Sequence, residues 1–336
     1  MARINVSGSV FYNDMTPAGN VEVKLIELDL MGGSNDLILT KITDGYGKFS
    51  GRTAEWKDRE GTGPFGVVIP DVFLMHFEVN TPAGTHRGPF MMTGTGSVPI
   101  VLPFAPFKPV AQANRELVQI TFLSDGLTDP AERFLYEFIE TGSNALVDLH
   151  LANAYRRIHR ITGNQATLAN MISKLDLAAS RSSTLAVDLV LCTHGGTRSR
   201  LFFKDGEKTG TQVKDAIIAG ISAARRNKLR MVFSTACFGN SHNSKWIQAG
   251  FKVVSGSEGI YADSQASMSP FMHAWSQEKT FEDCINKANA GDIGNVADNL
   301  AKEFYRAKDR ADLADLVNSN RLIRGNHFIR IYSSPE

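Results

Sequence analysis

No run of about 18 consecutive apolar residues occurs in the 336-residue sequence, so no membrane-spanning helix is expected. Neither sign of charge dominates: 36 Lys and Arg stand against 35 Asp and Glu, a formal net charge of +1. That balance excludes a strongly basic nucleic-acid binder or an acidic disordered tail as the main theme, and neither nucleic acid nor membrane is an expected partner. Cysteine is scarce and odd in number, with three residues, so a complete disulfide framework is excluded. A reducing, cytoplasmic setting is expected. The opening residues Met-Ala-Arg-Ile-Asn-Val-Ser-Gly alternate like a strand and lack the apolar core of a secretory signal. Heptads, low-complexity tracts and repeats are also missing. What is there is ordinary globular material: 43% hydrophobic and 21% charged residues, in a chain long enough for about two domains with real cores.

Composition changes near residue 110. Nine of the 12 prolines lie at or before Pro109, and Cys192, Cys237 and Cys284 all lie after it. The stretch 99–109 (PIVLPFAPFKP) resists both helix and central strand and reads as a linker or edge segment. Residues 1–110 show short alternating runs at 4–12, 21–28, 37–43, 65–69, 73–79 and 97–102. Turn signals separate them: Asn13-Asp14, Gly32-Gly33, Asp44-Gly45-Tyr46-Gly47 and Thr81-Pro82-Ala83-Gly84. This predicts an N-terminal all-β sandwich. Residues 111–336 alternate apolar strands (116–124, 186–193, 229–235, 251–255, 327–332) with helices (130–140, 145–160, 165–177, 212–226, 244–248, 269–277, 281–306) and a small hairpin around Asp205-Gly206. That pattern predicts an α/β domain: a mostly parallel sheet flanked by helices.

In such sheets ligands bind beyond the carboxyl ends of the strands. The residues there are Asp125-Gly126, His194-Gly195-Gly196, Ala236-Cys237-Phe238-Gly239 and Gly256-Ser257-Glu258-Gly259. If adjacent strands carry them, His194 and Cys237 lie side by side, the pairing that activates a thiol. The glycines let backbone approach a ligand and present N–H groups to an oxyanion.

The motifs VDLVLCTHGG (187–196) and MVFSTACFGN (231–240) resemble the dyad of the caspase-like (clan CD) cysteine peptidases, the group that includes caspases, metacaspases, gingipains and CHAT domains. The resemblance spans roughly residues 117–332. It implies a cysteine endopeptidase in which Cys237 is the nucleophile, His194 the acid/base, and the backbone N–H groups of Gly195 and Cys237 the oxyanion hole. It implies that segment 255–263 shapes the substrate pocket, with Ser257, Glu258 and Asp263 as candidate contacts. It requires no metal or organic cofactor. A protein or peptide is the implied substrate, and a dimer or regulatory partner and a role in defence or cell death are family-level expectations. The caspases' own Gln-Ala-Cys-x-Gly motif is replaced here by Thr235-Ala236-Cys237-Phe238-Gly239, so Asp specificity is not implied. The N-terminal runs 4–12, 17–25 and 43–49, with Thr43-Asp44-x-x-Gly47-x-Phe49, resemble a transthyretin-like or carboxypeptidase-regulatory-like sandwich, which implies a binding or packing module.

Two other readings use the same residues. Cys192-x-His194 with Cys237-x4-His242 supplies four ligands of the kind tetrahedral zinc takes, at spacings that match no common paired knuckle. Alternatively, the chain is a non-catalytic interaction protein on a peptidase scaffold. Cys192 and Cys284 read as core residues, and His242 as a residue capping or rimming the site.

Overall fold

The computed structural model describes the chain except residues 1–2, 13–14, 16, 29–34, 55–60, 63–67, 70–73, 82–83, 93–95, 103–108, 126, 263, 292–294, 328 and 336. Several expectations fall there: most of the 65–69 run, Asn13-Asp14, Gly32-Gly33, Pro82-Ala83 and most of the proline-rich stretch all lie outside the described residues. The chain divides into two compact units, Met1–Phe107 and Lys108–Glu336.

The first unit holds β1 (Asn5–Phe11), β2 (Glu22–Leu28), β3 (Asp36–Ile42), β4 (Lys48–Arg52), β5 (Gly61–Thr62), β6 (Val68–Ile69), β7 (Leu74–Thr81), β8 (Gly84–Met92) and β9 (Gly96–Val101). One sheet runs β4-β1-β9 and another β3-β2-β7-β8, with β5 and β6 paired separately. Alternate side chains from both larger sheets, among them Val10, Leu25, Leu39, Phe49, Phe77 and Ile100, share one buried cluster. This is the arrangement of a β-sandwich. The Thr43–Phe49 segment builds its turn from its own side chain: Asp44 Oδ1 accepts the Tyr46 and Lys48 N–H groups, each at 2.8 Å. Gly47 follows at φ +72°, where a Cβ would stand 2.4 Å from the Val10 carbonyl oxygen. Phe49 then enters the core edge-on to Phe77, ring centroids 5.7 Å apart. Strands β4, β5 and β8 had no sequence signal. In β4 only one side chain, Phe49, is buried, and β8 contains Pro89, which is tolerated because β8 is an edge strand.

Among its described residues the second unit holds β10 (Arg115–Phe122), β11 (Arg157–Thr162), β12 (Ala186–Thr193), β13 (Gly195–Gly196), β14 (Arg200–Phe203), β15 (Gly206–Thr209), β16 (Leu229–Ser234), β17 (Val253–Ser257) and β18 (Arg321–Gly325). Its helices are α1 (Pro130–Leu151), α2 (Leu168–Ser180), α3 (Gly210–Gly220), α4 (Ala223–Arg226), α5 (Asn243–Ala249), α6 (Ser264–Ser276), α7 (Phe281–Asn289), α8 (Val296–Ala307) and α9 (Ala311–Ala314). The main sheet runs β11-β10-β12-β16-β17-β18. Its neighbours are parallel except β17 with β18. Strands β10, β12 and β16 are buried along their whole length because both faces are covered. Leu189 and Leu191 point to a core shared with α2 and α3, while Val190 and Cys192 point to a core shared with α1, α6 and α7. A separate three-stranded sheet, β13-β14-β15, carries the expected hairpin. Among the described residues no helix is long and apolar enough to cross a membrane.

Four expected elements are corrected. The 212–226 helix is two, because Ile221 and Ser222 are extended and separate α3 from α4. Residues 145–160 are not one helix: α1 ends at Leu151, and Arg157–Thr162 is the edge strand β11, paired in parallel with β10. The expected 281–306 helix is broken between α7 and α8. The last strand is β18, not 327–332. Ile329 and Ile331 do enter the core, but the Ile331 and Ser333 carbonyls are taken by the Arg230 guanidinium and that of Tyr332 by the Val110 N–H, which leaves no ladder to form.

Candidate active site

β12 and β16 are adjacent and parallel, so the residues just past their carboxyl ends lie at the same edge of the sheet. His194 follows β12 and Cys237 lies three residues past β16. The chain turns sharply after Cys237: Phe238 adopts φ +54°, a left-handed conformation rare outside glycine, with its N–H donating to the Gly259 carbonyl at 2.7 Å. Gly195 packs directly on this turn. A Cβ at Gly195 would stand 2.1 Å from the Cys237 carbonyl oxygen and 2.9 Å from its nitrogen.

The Cys237 thiol is half-buried. The Tyr261 N–H donates to its Sγ at 3.4 Å. Burial pushes the thiol up, and the N–H groups of Tyr261, Cys237 itself and Gly195 pull it back down. Those donors surround the sulfur with positive dipoles of the kind that stabilise a thiolate or an oxyanion.

His194 is held from two sides. Its Nε2 lies 2.7 Å from the Leu123 carbonyl oxygen at the end of β10. A carbonyl only accepts, so Nε2 carries the proton and Nδ1 is left with the lone pair in the neutral ring. The Tyr136 ring of α1 meets the imidazole edge-on, centroids 4.8 Å apart at 72°. Burial pushes the imidazole down, opposed by the Leu123 carbonyl and by the charge of Glu140. Tyr136 is pushed up to about 12 by burial first and by the charge of Cys237 second. Tyr305 of α8 is raised by the same two causes. A Lys308–Glu132 ion pair at 2.7 Å joins the faces of α8 and α1 that carry these two tyrosines.

The other expected contacts are placed differently. Ser257 is fully buried, and its hydroxyl lies 3.1 Å from the Ala236 carbonyl oxygen and 3.0 Å from that of Gly259, tying the Cys237 turn to the next loop. Glu258 is exposed and accepts from the side-chain amides of Asn318 and Asn320 at 3.3 and 3.1 Å. Asp263 lies outside the described residues. His242 is buried rather than on the rim. Burial pushes it down to about 4, against a smaller opposing pull from backbone at Gly239, Arg200 and Ser199. Cys192 and Cys284 are core residues, their thiols pushed by burial up to about 11 and about 12. Among the described residues no group of three or more His, Cys, Asp or Glu side chains is gathered as for a metal ion.

Several contributors carried no sequence signal. Tyr136, Glu140 and Tyr305 come from helices whose packing decides their proximity, Leu123 contributes only a main-chain oxygen, and Tyr261 falls within the 255–263 segment without being singled out there. Arg321 lies beneath the site, its guanidinium 4.0 Å from the Phe233 ring centroid and its Nε donating to Ser255 Oγ at 3.1 Å. It thereby ties β18 to the ends of β16 and β17.

No protein-family model matches the sequence, and no curated protein matches it. Among solved structures, the chain is similar to the dioxygenase domain of a dioxygenase and carbohydrate-binding protein fusion from Streptomyces sp. SirexAA-E. That likeness covers 31% of this chain and 80% of the other at 19% identity, with a TM-score of 0.21. Transthyretin from Sparus aurata covers 30% of this chain and 90% of its own at 16% identity and a TM-score of 0.21. Sea bream transthyretin in complex with thyroxine covers 30% and 88% at 16% identity and a TM-score of 0.19. At such TM-scores the likeness assigns neither a family nor a function to this chain.

Proposed function

We propose that this chain is a cysteine endopeptidase, a caspase-like α/β domain preceded by a transthyretin-like sandwich, with Cys237 as nucleophile and His194 as acid/base. One observation carries the reading: the Cys237 thiol sits among the N–H groups of Tyr261, Gly195 and its own residue, at the end of the strand beside the one that presents His194.

The resting pair is neutral, because burial disfavours both the thiolate and the imidazolium. Sγ attacks the peptide carbonyl carbon as its proton passes to His194 Nδ1, the nitrogen left free by the Nε2 bond to Leu123. The carbonyl oxygen becomes an oxyanion held by the Gly195 and Cys237 N–H groups. Collapse breaks the C–N bond, and the Nδ1 proton goes to the departing amine. Water then adds to the thioester, giving a proton to His194. The acid leaves, and the proton returns to Sγ.

The test incubates the full chain with a library of peptidyl fluorogenic substrates and a peptidyl ketone that traps thiols. Cleavage and a covalent adduct at Cys237 are expected, with Cys237→Ala and His194→Ala each losing about 10³-fold or more in turnover. Absence of both cleavage and adduct overturns the reading in favour of a non-catalytic interaction protein.

A further inference from the structure

Glu140 of α1 touches neither Cys237 nor a substrate position, yet its carboxylate is spent entirely on one turn. Oε1 accepts the Leu123 N–H at 2.5 Å and the Ser124 N–H at 3.1 Å, and Oε2 accepts the Ser124 hydroxyl at 2.9 Å. The Ser124 N–H and the Leu123 carbonyl are the two ends of a single peptide group. That carbonyl is the acceptor for His194 Nε2 at 2.7 Å. A carboxylate, a peptide and an imidazole therefore lie in one hydrogen-bonded chain.

We propose that Glu140 is a positioning residue for His194, acting on the imidazole through the Leu123–Ser124 peptide. A full negative charge at the N–H end polarises the amide and makes its oxygen a stronger acceptor, since bonds in such chains reinforce one another. A stronger acceptor at Nε2 does two things. It holds the ring in the tautomer that leaves Nδ1 free, and it favours the imidazolium present between proton uptake and proton delivery. A carboxylate performs both tasks by direct contact in the Ser-His-Asp arrangement; here a peptide stands between. Helix α1 supplies the second support from the same face, because Tyr136 lies one turn before Glu140 and packs its ring on the imidazole. Among the described residues, the titratable groups that act on His194 are both from α1, Tyr136 by ring contact and Glu140 by its charge, while β10 contributes main chain alone.

The inference rests on His194 being the proton-transfer group, and its test needs no turnover. In the full chain, NMR of the His194 ring, assigned by loss of its signals in His194→Gln, reports both tautomer and titration, and the rate of Cys237 alkylation by iodoacetamide is followed against pH. Glu140→Gln keeps an oxygen for both N–H groups and an amide for the Ser124 hydroxyl but removes the charge, while Glu140→Asp keeps the charge. The wild-type ring is expected to carry its neutral-state proton on Nε2. In Glu140→Gln, His194 is expected to titrate at lower pH and alkylation at neutral pH to slow by about 5-fold, the difference between charge-assisted and neutral hydrogen bonding. Glu140→Asp is expected to stay near wild type. An unchanged titration in Glu140→Gln overturns the proposal, as does a shift in Glu140→Asp equal to that in Glu140→Gln. Should Glu140→Gln not fold, an Nδ1–H tautomer in the wild type overturns it alone. A coupled titration without peptide cleavage leaves the proposal standing and removes the peptidase reading; cleavage without coupling does the reverse.

Discussion

Gly195 is where a single methyl group does most damage. The atoms it would strike, the carbonyl oxygen and nitrogen of Cys237 at 2.1 and 2.9 Å, are main chain and cannot swing away as a side-chain tip does. Gly195→Ala is therefore expected to displace the Cys237 turn, costing about 1–3 kcal/mol of stability and more than about 10-fold in the rate at which Cys237 takes a peptidyl trapping reagent. Thermal melts and intact-mass kinetics measure the two effects. At this scale Cys237, His194 and Gly195 were legible in the sequence, because each sits just past an apolar run whose length marks a strand end. Glu140 was not, because it acts through main-chain atoms that every residue type possesses. Ser257 departs from its expected role as a substrate contact: the side chain faces inward and is consumed by two carbonyls.

Among the elements, β12 carries an apparent misfit, a carboxylate inside a fully buried strand. Asp188 is answered by Arg230 from β16, with Nε to Oδ1 at 3.0 Å and Nη2 to Oδ2 at 2.5 Å. The Tyr155 hydroxyl and the Met231 N–H also donate to the carboxylate, and Trp275 Nε1 donates to Tyr155. Arg230 in turn holds the carbonyls of the chain's last segment. Asp188→Ala leaves a fully buried guanidinium without its counter-ion, and urea unfolding is expected to show a loss of about 3–5 kcal/mol. The double variant Asp188→Leu with Arg230→Met is expected to recover part of that loss, since a buried pair replaced by apolar side chains removes both desolvation costs. This network also explains why the 327–332 run is not a strand: its apolar alternation is real, but its carbonyls are bonded elsewhere. The misreading of 145–160 has a related cause. Ile158 and Ile161 continue a plausible helical pattern, and only the free edge of β10 decides that this stretch pairs as β11.

For the molecule as a whole, the buried imidazoles set a direction for stability with pH. Burial holds His242 at about 4 in the folded chain, below its ordinary 6.5, and His194 and His159 are also lowered by burial. The unfolded rings accept protons that the folded ones refuse, so their contribution is complete above about pH 6.5 and is lost as pH falls towards 4. For His242 alone, stability is expected to drop by about 2 kcal/mol between pH 7 and pH 5. Urea titrations at the two pH values check this, and His242→Gln should flatten the difference.

The sequence by itself determined the change of character near residue 110, the alternating strands on either side of the Thr43–Phe49 turn, and the apolar runs of β10, β12 and β16 with His194 and Cys237 just beyond them. These are local properties: alternation, turn chemistry and strand length are written in neighbouring residues. Tertiary structure alone decided that β12 and β16 are neighbours, that α1 lays Tyr136 and Glu140 against the His194 side of the site, and that Asp188 finds Arg230. Those pairings join residues far apart in the chain, and burial and backbone hydrogen bonding select them only once the sheet order is set.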